Sequence, residues 1–166
     1  MKKVKVLKLG VECGEKATGL MGTLTHWVIN MGGVVDYVFQ PKGLNEEGQP
    51  LKKLYLCLER LSVKEVNFET VEVPFEILGT QVTDRASGFN GMAIAFVRHF
   101  NGCFHVDIQP RGTLPKTGAP ISSHDFDLRC CTGEKIIELT KPQLKKSRAE
   151  RPSPSDMPER RLPSGS

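Results

Sequence analysis

Apolar and polar residues alternate along much of the chain at a period of two, the pattern of a β-strand that is buried on one face. The pattern predicts a first strand over residues 2–8 and two hairpins, over residues 22–40 and 91–109. In each hairpin the strands are separated by a three-residue turn that ends in glycine, which is a typical hairpin connection. No stretch shows a sustained apolar stripe at helical spacing, so we expect little helix.

Shorter apolar runs follow each hairpin. Residues 54–58 and 126–128 are apolar enough for a further strand in each half, and residues 61–66 and 135–139 are predicted to close the two halves. Residues 12–21 are polar and rich in glycine, so they are expected to form a loop. The run at residues 68–78 alternates like a strand and connects the halves, and Pro74 within it indicates an edge strand or a bulge.

The two hairpins belong to an internal repeat. Residues 9–43 and 78–112, aligned at an offset of 69, agree at ten of 35 positions. Most of these identities are glycine, proline or turn-flanking residues, which determine backbone shape rather than chemistry. We therefore predict an all-β protein made of two tandem small SH3-like β-barrels, at residues 1–67 and 68–140.

A change of composition marks the end of the repeat. Residues 141–166 are rich in proline, serine and charge, and contain few large apolar side chains, so they are expected to form a disordered or extended tail. From residue 140 onward, seven Lys or Arg oppose three acids, 7 − 3 = +4, which is the whole net charge of the chain. Residues 1–139 are thus neutral overall, which makes nucleic-acid binding by the folded part unlikely. Within the tail, four arginines are candidates for partner contact: Arg148, Arg151, Arg160 and Arg161.

Cysteine usage indicates a protein made in a cytosol. The five cysteines are odd in number and form no C-x-x-C motif, so we expect reduced thiols rather than a zinc knuckle or a disulfide framework. No apolar run reaches the ~20 residues that cross a bilayer. Lys5 and Lys8 interrupt the basic N-terminus, so no signal peptide is expected and no membrane partner.

The two faces of each predicted hairpin differ between the copies. In the first copy the outward face is predicted to carry four aliphatic side chains, Leu24, Val28, Val34 and Val38, together with His26. In the second copy it carries His99 and His105. Two explanations stay open: the two outward faces pack on each other or are covered by residues 66–78, or they form a subunit or partner interface.

Four residues of the second hairpin resemble a transition-metal set by type and face: His99, Cys103, His105 and Asp107. The first copy has Asn30, Val34, Asp36 and Val38 at these positions, and polar surface residues are the simpler interpretation. We therefore expect no metal and no cofactor. No catalytic triad order, nucleophile elbow, phosphate-binding loop or G-x-G-x-x-G is present, so we expect no enzyme.

A longer motif in the second copy reads V-x-D-x-x-[ST]-G-F-x-G, then a strand, Asn-Gly-Cys, a second strand and Gln-Pro. It is formed by Val82, Asp84, Ser87, Gly88, Phe89, Gly91, Asn101, Gly102, Cys103, Gln109 and Pro110. The motif resembles a family of small uncharacterised β-proteins from tailed bacteriophages, over residues 9–60 and 78–131. The Gly19-x-x-Gly22 and Gly88-x-x-Gly91 pairs also resemble the KOW motif of SH3-like proteins. The phage resemblance implies a viral setting and a small β-fold, without site residues.

In a phage setting three functions compete. The first is a virion structural protein, a head decoration or cement protein that is made in the host bacterial cytoplasm and located in the virion. It would bind the major capsid protein, other virion subunits or its own copies. The second is a host-takeover protein that sequesters a small signalling nucleotide or binds a host factor, through the loops at residues 41–53 and 110–124 with His99, His105 and Arg98. The third is a KOW-like nucleic-acid-binding module. Of these, the sequence favours the virion protein.

Overall fold

The computed structural model describes residues 1–139, so the predicted tail with its four arginines lies outside the described residues. The strands are β1 (Lys2–Leu7), β2 (Glu12–Glu15), β3 (Met21–Asn30), β4 (Val35–Pro41), β5 (Leu54–Cys57), β6 (Leu61–Ser62), β7 (Phe68–Val73), β8 (Gln81–Asp84), β9 (Asn90–His99), β10 (Phe104–Gln109), β11 (His124–Asp127) and β12 (Cys131–Thr132). Single 3-10 turns lie at Leu58–Arg60, Glu65–Asn67, Phe75–Ile77 and Leu128–Cys130. A short helix covers residues 134–139.

The two predicted hairpins lie side by side in one sheet. Strand β3 of the first hairpin pairs antiparallel with β9 of the second, and the main run of strands is β5-β4-β3-β9-β10-β11. At the start of each long strand the chain pairs with a short one, β2 with β3 and β8 with β9. A separate two-stranded ribbon is formed by β1 and β7. The all-β prediction is confirmed, while residues 1–139 contain no closed barrel.

The sequence repeat recurs in the strand pairing. Strands β3 and β9 begin 90 − 21 = 69 residues apart, which is the offset of the sequence alignment. Val28 pairs with Val97, which is its own repeat counterpart because 28 + 69 = 97. An approximate twofold axis therefore passes through the Val28–Val97 pair, perpendicular to the sheet.

One hydrophobic cluster holds both copies together. It contains Trp27 and Phe39 from the first hairpin and Phe96 from the second, each fully buried, and the ribbon adds Val6 and Val73. Burial of such large side chains contributes about 1.5–3 kcal/mol each. The predicted division of the chain into two domains, between residues 67 and 68, stays a prediction. Both halves contribute side chains to this cluster.

Two local predictions are wrong, and a third is right in part. Residues 12–15 of the predicted loop form strand β2, in which Cys13 and Glu15 are buried; the glycine and the acids in this segment obscure the alternation of a strand. Residues 134–139 form a short helix rather than a strand, with an ion pair between Lys135 and Glu138 one turn apart.

The connecting run forms an edge strand, as Pro74 indicates, since β7 pairs only with β1 among the described strands. It ends at Val73 rather than at residue 78, because the proline that follows has no N–H to donate.

The predicted aliphatic patch on the first hairpin does not form. A β-bulge shifts the β3–β4 register between Leu24 and His26, so Leu24 turns into the core and is fully buried. Val38 is also buried, at 4% exposure, and Val28 is half-buried. Val34 is exposed, but it lies in the hairpin turn just before β4.

The outward faces of the two hairpins neither pack on each other nor lie under residues 66–78. The faces of the two hairpins do not stack, because β3–β9 pairing places them next to each other on one side of the sheet. The connecting run does not cover them either, since its Val71 and Val73 belong to the core cluster. The joined outward face is open.

Several identities between the copies have a direct structural reason. A Cβ on Gly22 would lie 2.3 Å from the carbonyl oxygen of Gln40, and one on Gly91 would lie 2.2 Å from that of Gln109. The side-chain amides of these glutamines donate to the carbonyls of Leu51, at 2.8 Å, and Ile121, at 2.6 Å. They thereby attach the long loops after β4 and β10 to their hairpins.

The close approach at Gly91 predicts a large effect of one methyl group. Gly91→Ala should lower the free energy of unfolding by about 2 kcal/mol or more, because backbone atoms of β10 would have to move. Gly14→Ala is the matched control, since the nearest atom to its Cβ is a flexible methionine sulfur at 3.4 Å. Urea denaturation of both variants checks this, and equal stabilities would contradict the β9–β10 packing described.

Candidate functional site

An open groove of about 490 Å³ lies on the outward face of the sheet, over the junction of the two copies. Its floor contains Val28 and Val97 at the approximate twofold axis, so both repeats form it. The lining residues are His26, Val28, Val38, Lys53, Tyr55, Val97, His99, Asp107, Ser123, His124 and Asp125. The loop after β4, bonded by Gln40, places Lys53 on one side of the groove. The loop after β10, bonded by Gln109, places Ser123 on the other side.

Three imidazoles lie in contact on this face. His26 of β3 is the cross-strand partner of His99 of β9, and their ring centroids are 4.3 Å apart in an edge-to-face arrangement. The ring of His105, on β10, lies 4.3 Å from that of His99. The cluster therefore combines one histidine from the first copy with two from the second.

Asp125 of the edge strand β11 completes the cluster. Its Oδ2 lies 2.7 Å from Nδ1 of His105, a hydrogen bond, and 3.7 Å from Nε2 of His99, which is beyond hydrogen-bond distance. The Nε2 atom of His99 is buried and has no hydrogen-bond partner within the described residues. A buried polar atom without a partner is costly, so its retention calls for an explanation.

The electrostatics of the groove keep its central imidazoles neutral and its outer carboxylate ionised. Burial, reinforced by the charge of His99, lowers the pKa of His26 to about 4, and burial together with the charge of His105 also lowers the pKa of His99. For Asp125, burial acts to raise the pKa, but the hydrogen bond and charge of His105 outweigh it and leave the pKa below its usual range. Burial raises the pKa of Asp107.

The other half of the face lacks this chemistry. By the offset of 69, Ala95 is the counterpart of His26, Asn30 that of His99 and Asp36 that of His105. The approximate twofold symmetry of the backbone therefore carries an asymmetric set of side chains.

The structure brings together part of the predicted set. His99 lines the groove, and Val28 and Val38 lie in its floor, whereas Leu24, Val34 and His105 do not line it. His105 is joined to the cluster through its ring contact with His99. Of the four residues that resembled a metal set by type, Cys103 lies away from the cluster, with its sulfur 3.7 Å from the Arg129 guanidinium. The fourth, Asp107, accepts a hydrogen bond from Ser123 at 3.1 Å.

Sequence reasoning missed Asp125 and Tyr55 as site residues, and it included Lys53 only as part of the loop at residues 41–53. Asp125 lies in strand β11, whose segment HDFD pairs with β10. The prediction that His26 lies on the outward face is confirmed. The contact of His26 with His99 depends on β3–β9 pairing, for which the local pattern gives no signal.

A second groove, of about 600 Å³, lies at the tip of the second hairpin beside the helix at residues 134–139. It is lined largely by apolar side chains such as Ile77, Phe104 and Leu128. The Arg129 guanidinium on its wall is paired with Asp127 at 2.6 Å. This groove lacks the unpaired buried nitrogen that characterises the first.

Comparison of the chain with protein-family models, curated proteins and solved structures gives no match. No helix within residues 1–139 is long and apolar enough to cross a membrane.

The burial of His26 predicts an unusual titration. The imidazole of His26 should stay neutral until the pH falls to about 4, below its ordinary 6.5, because desolvation and the neighbouring His99 both oppose its protonation. Replacing the neighbour, in His99→Gln, should raise the pKa of His26. NMR titration of the imidazole nitrogens measures both, and an ordinary midpoint near 6.5 for His26 would contradict the contact geometry.

Proposed function

We propose that the protein is a non-enzymatic binding protein that takes a small ligand into the groove on its outward sheet face. The observation that carries the proposal is the groove itself: an apolar floor from both copies, with polar side chains converging on it from two opposite edges. Its volume lies within the ~300–1,000 Å³ range of small-molecule sites. Among the functions considered, this supports ligand sequestration best.

The side chains of the groove suit a nucleotide-like ligand. Tyr55 is 74% exposed and offers an aromatic face for stacking, and Lys53 lies two residues before it as a cation for phosphate. On the opposite edge, Asp125 and Ser123 provide acceptors and a donor for base or ribose groups. This agrees with two elements of the sequence hypothesis, the loops at 41–53 and 110–124 and His99.

One residue of that hypothesis does not fit. The guanidinium of Arg98 lies over the ring of Phe104 at 4.8 Å, and Arg98 does not line the groove. The cation that faces the ligand in the proposed site is Lys53. The phage resemblance supplies the setting, in which such a protein would remove a signalling nucleotide of the host.

The role of Lys53 can be tested against its neighbour. Lys53→Ala should weaken binding of a nucleotide found by thermal-shift screening by about tenfold or more, because a charge-assisted contact contributes about 1.5–3 kcal/mol. Lys52→Ala removes the same charge next to the groove without touching its lining, and should change affinity little. Calorimetry measures both. If no member of the panel raises the melting temperature, or if both variants weaken equally, nucleotide binding in the groove is wrong.

A second candidate, the virion decoration protein, is favoured by a different surface. Met31 and Val34, 51% and 55% exposed, form an apolar tip on the first hairpin, of the kind that contacts protein partners. Val34 belongs to the partner surface expected from sequence, and the major capsid protein is the proposed partner. Mass spectrometry of purified virions decides this candidate: many copies per particle are expected, and absence from the particle would exclude it.

A further inference from the structure

We propose that His99, His105 and Asp125 form a binding site for a divalent first-row transition metal ion, such as zinc. The site lies at one edge of the groove, on strands β9, β10 and β11. It stands on the arrangement of these three side chains and does not depend on the proposed small ligand.

The spacing of the three side chains already resembles a metal centre. One ligand atom from each residue can be chosen so that all three lie within 4.8 Å of one another. Tetrahedral ligand atoms at about 2.0–2.2 Å from zinc lie about 3.3–3.6 Å from each other, so small side-chain rotations would close the set. The existing distances of 2.7 and 3.7 Å from Asp125 to the two histidines lie on either side of that range.

The unpaired nitrogen of His99 is the second observation. Its Nε2 is buried within the described residues, makes no hydrogen bond, and lies 3.7 Å from the Asp125 carboxylate. A cation between His99 and Asp125 would satisfy the nitrogen lone pair and the carboxylate charge together. The other buried side-chain nitrogen without a hydrogen bond in residues 1–139 is Nε1 of Trp27, which belongs to the hydrophobic core.

The donor types select the class of ion. Two imidazoles and one carboxylate suit zinc, iron, cobalt, nickel or copper, whereas magnesium and calcium prefer sites made of oxygen ligands. Three protein ligands leave at least one coordination position free. The bound ion could therefore take a further ligand from water or from a molecule in the groove.

Surrounding contacts hold the ligands in place. The ring of His26 packs edge-to-face on His99, and Nδ1 of His26 is itself 2.7 Å from the Thr25 hydroxyl oxygen. His105 is anchored on β10, which pairs with β9 on one side and β11 on the other. Such outer contacts commonly orient metal-binding histidines. The set considered from sequence contained Cys103 and Asp107, whereas the structure places Asp125 beside His99 and His105.

Metal titration of the full chain tests the proposal. Protein without a polyhistidine tag, kept reduced, is titrated with zinc alone by calorimetry and with cobalt alone by visible absorption. One equivalent should bind, with a cobalt spectrum that lacks thiolate charge-transfer bands because no cysteine belongs to the set. His105→Ala and His99→Ala should each weaken binding by at least about tenfold, a loss seen even for outer-shell changes.

Two matched variants complete the design. His124→Ala removes a groove histidine outside the set, and Cys103→Ser removes the thiol of the rejected set; both should bind like the parent chain. Circular dichroism without metal verifies that each variant is folded. Absence of binding, binding that survives loss of both His99 and His105, or binding that depends on His124 or Cys103 would each overturn the proposal.

The outcome also separates this site from the nucleotide proposal. Zinc binding that persists in Lys53→Ala, together with no response to nucleotides, would support the metal site and reject the ligand. Nucleotide binding that is weakened in Lys53→Ala, together with no zinc binding, would support the ligand and reject the metal site.

Discussion

The antiparallel pairing of β3 with β9 is the interaction on which the rest of the molecule depends. Each hairpin alone would expose the edge of a long strand, and each half of the chain would have a marginal core at roughly 70 residues. Joining the two long strands removes both exposed edges and allows Trp27, Phe39 and Phe96 to share one core. The same pairing brings His26 next to His99 and places the groove across the junction.

The sequence repeat accounts for the similar backbone of the two hairpins. The differences between the copies account for the side chains that line the groove. Gly22 and Gly91, and the glutamines whose carbonyls they approach, are the same in both copies because both hairpins need the same close packing. The outward face carries no such requirement. There the first copy contributes aromatic and cationic side chains from β5 and the loop before it, while the second contributes histidines and a carboxylate from β9, β10 and β11.

The local pattern of the sequence was enough to predict the hairpins, their turns and the all-β class, because alternation and glycine turns are encoded within a few residues. It was not enough for Leu24, because one inserted residue at a bulge reverses the direction of every side chain before it. Nor could it predict the site, which combines residues from strands that are distant in sequence. His99 and His105 share a hairpin and were found; Asp125 joins them through the β10–β11 pairing across a long loop.

The approximate twofold axis through Val28 and Val97 has a consequence for the number of sites. A homodimer of identical hairpins joined in this way would carry every outward residue twice, so any site on the axis would be symmetric and any site beside it would occur in pairs. Covalent linkage of the two copies removes that restriction, because each half can change alone. The chain can therefore carry a one-sided set of side chains, the cluster of His26, His99, His105 and Asp125, beside an axis that the backbone pairing follows.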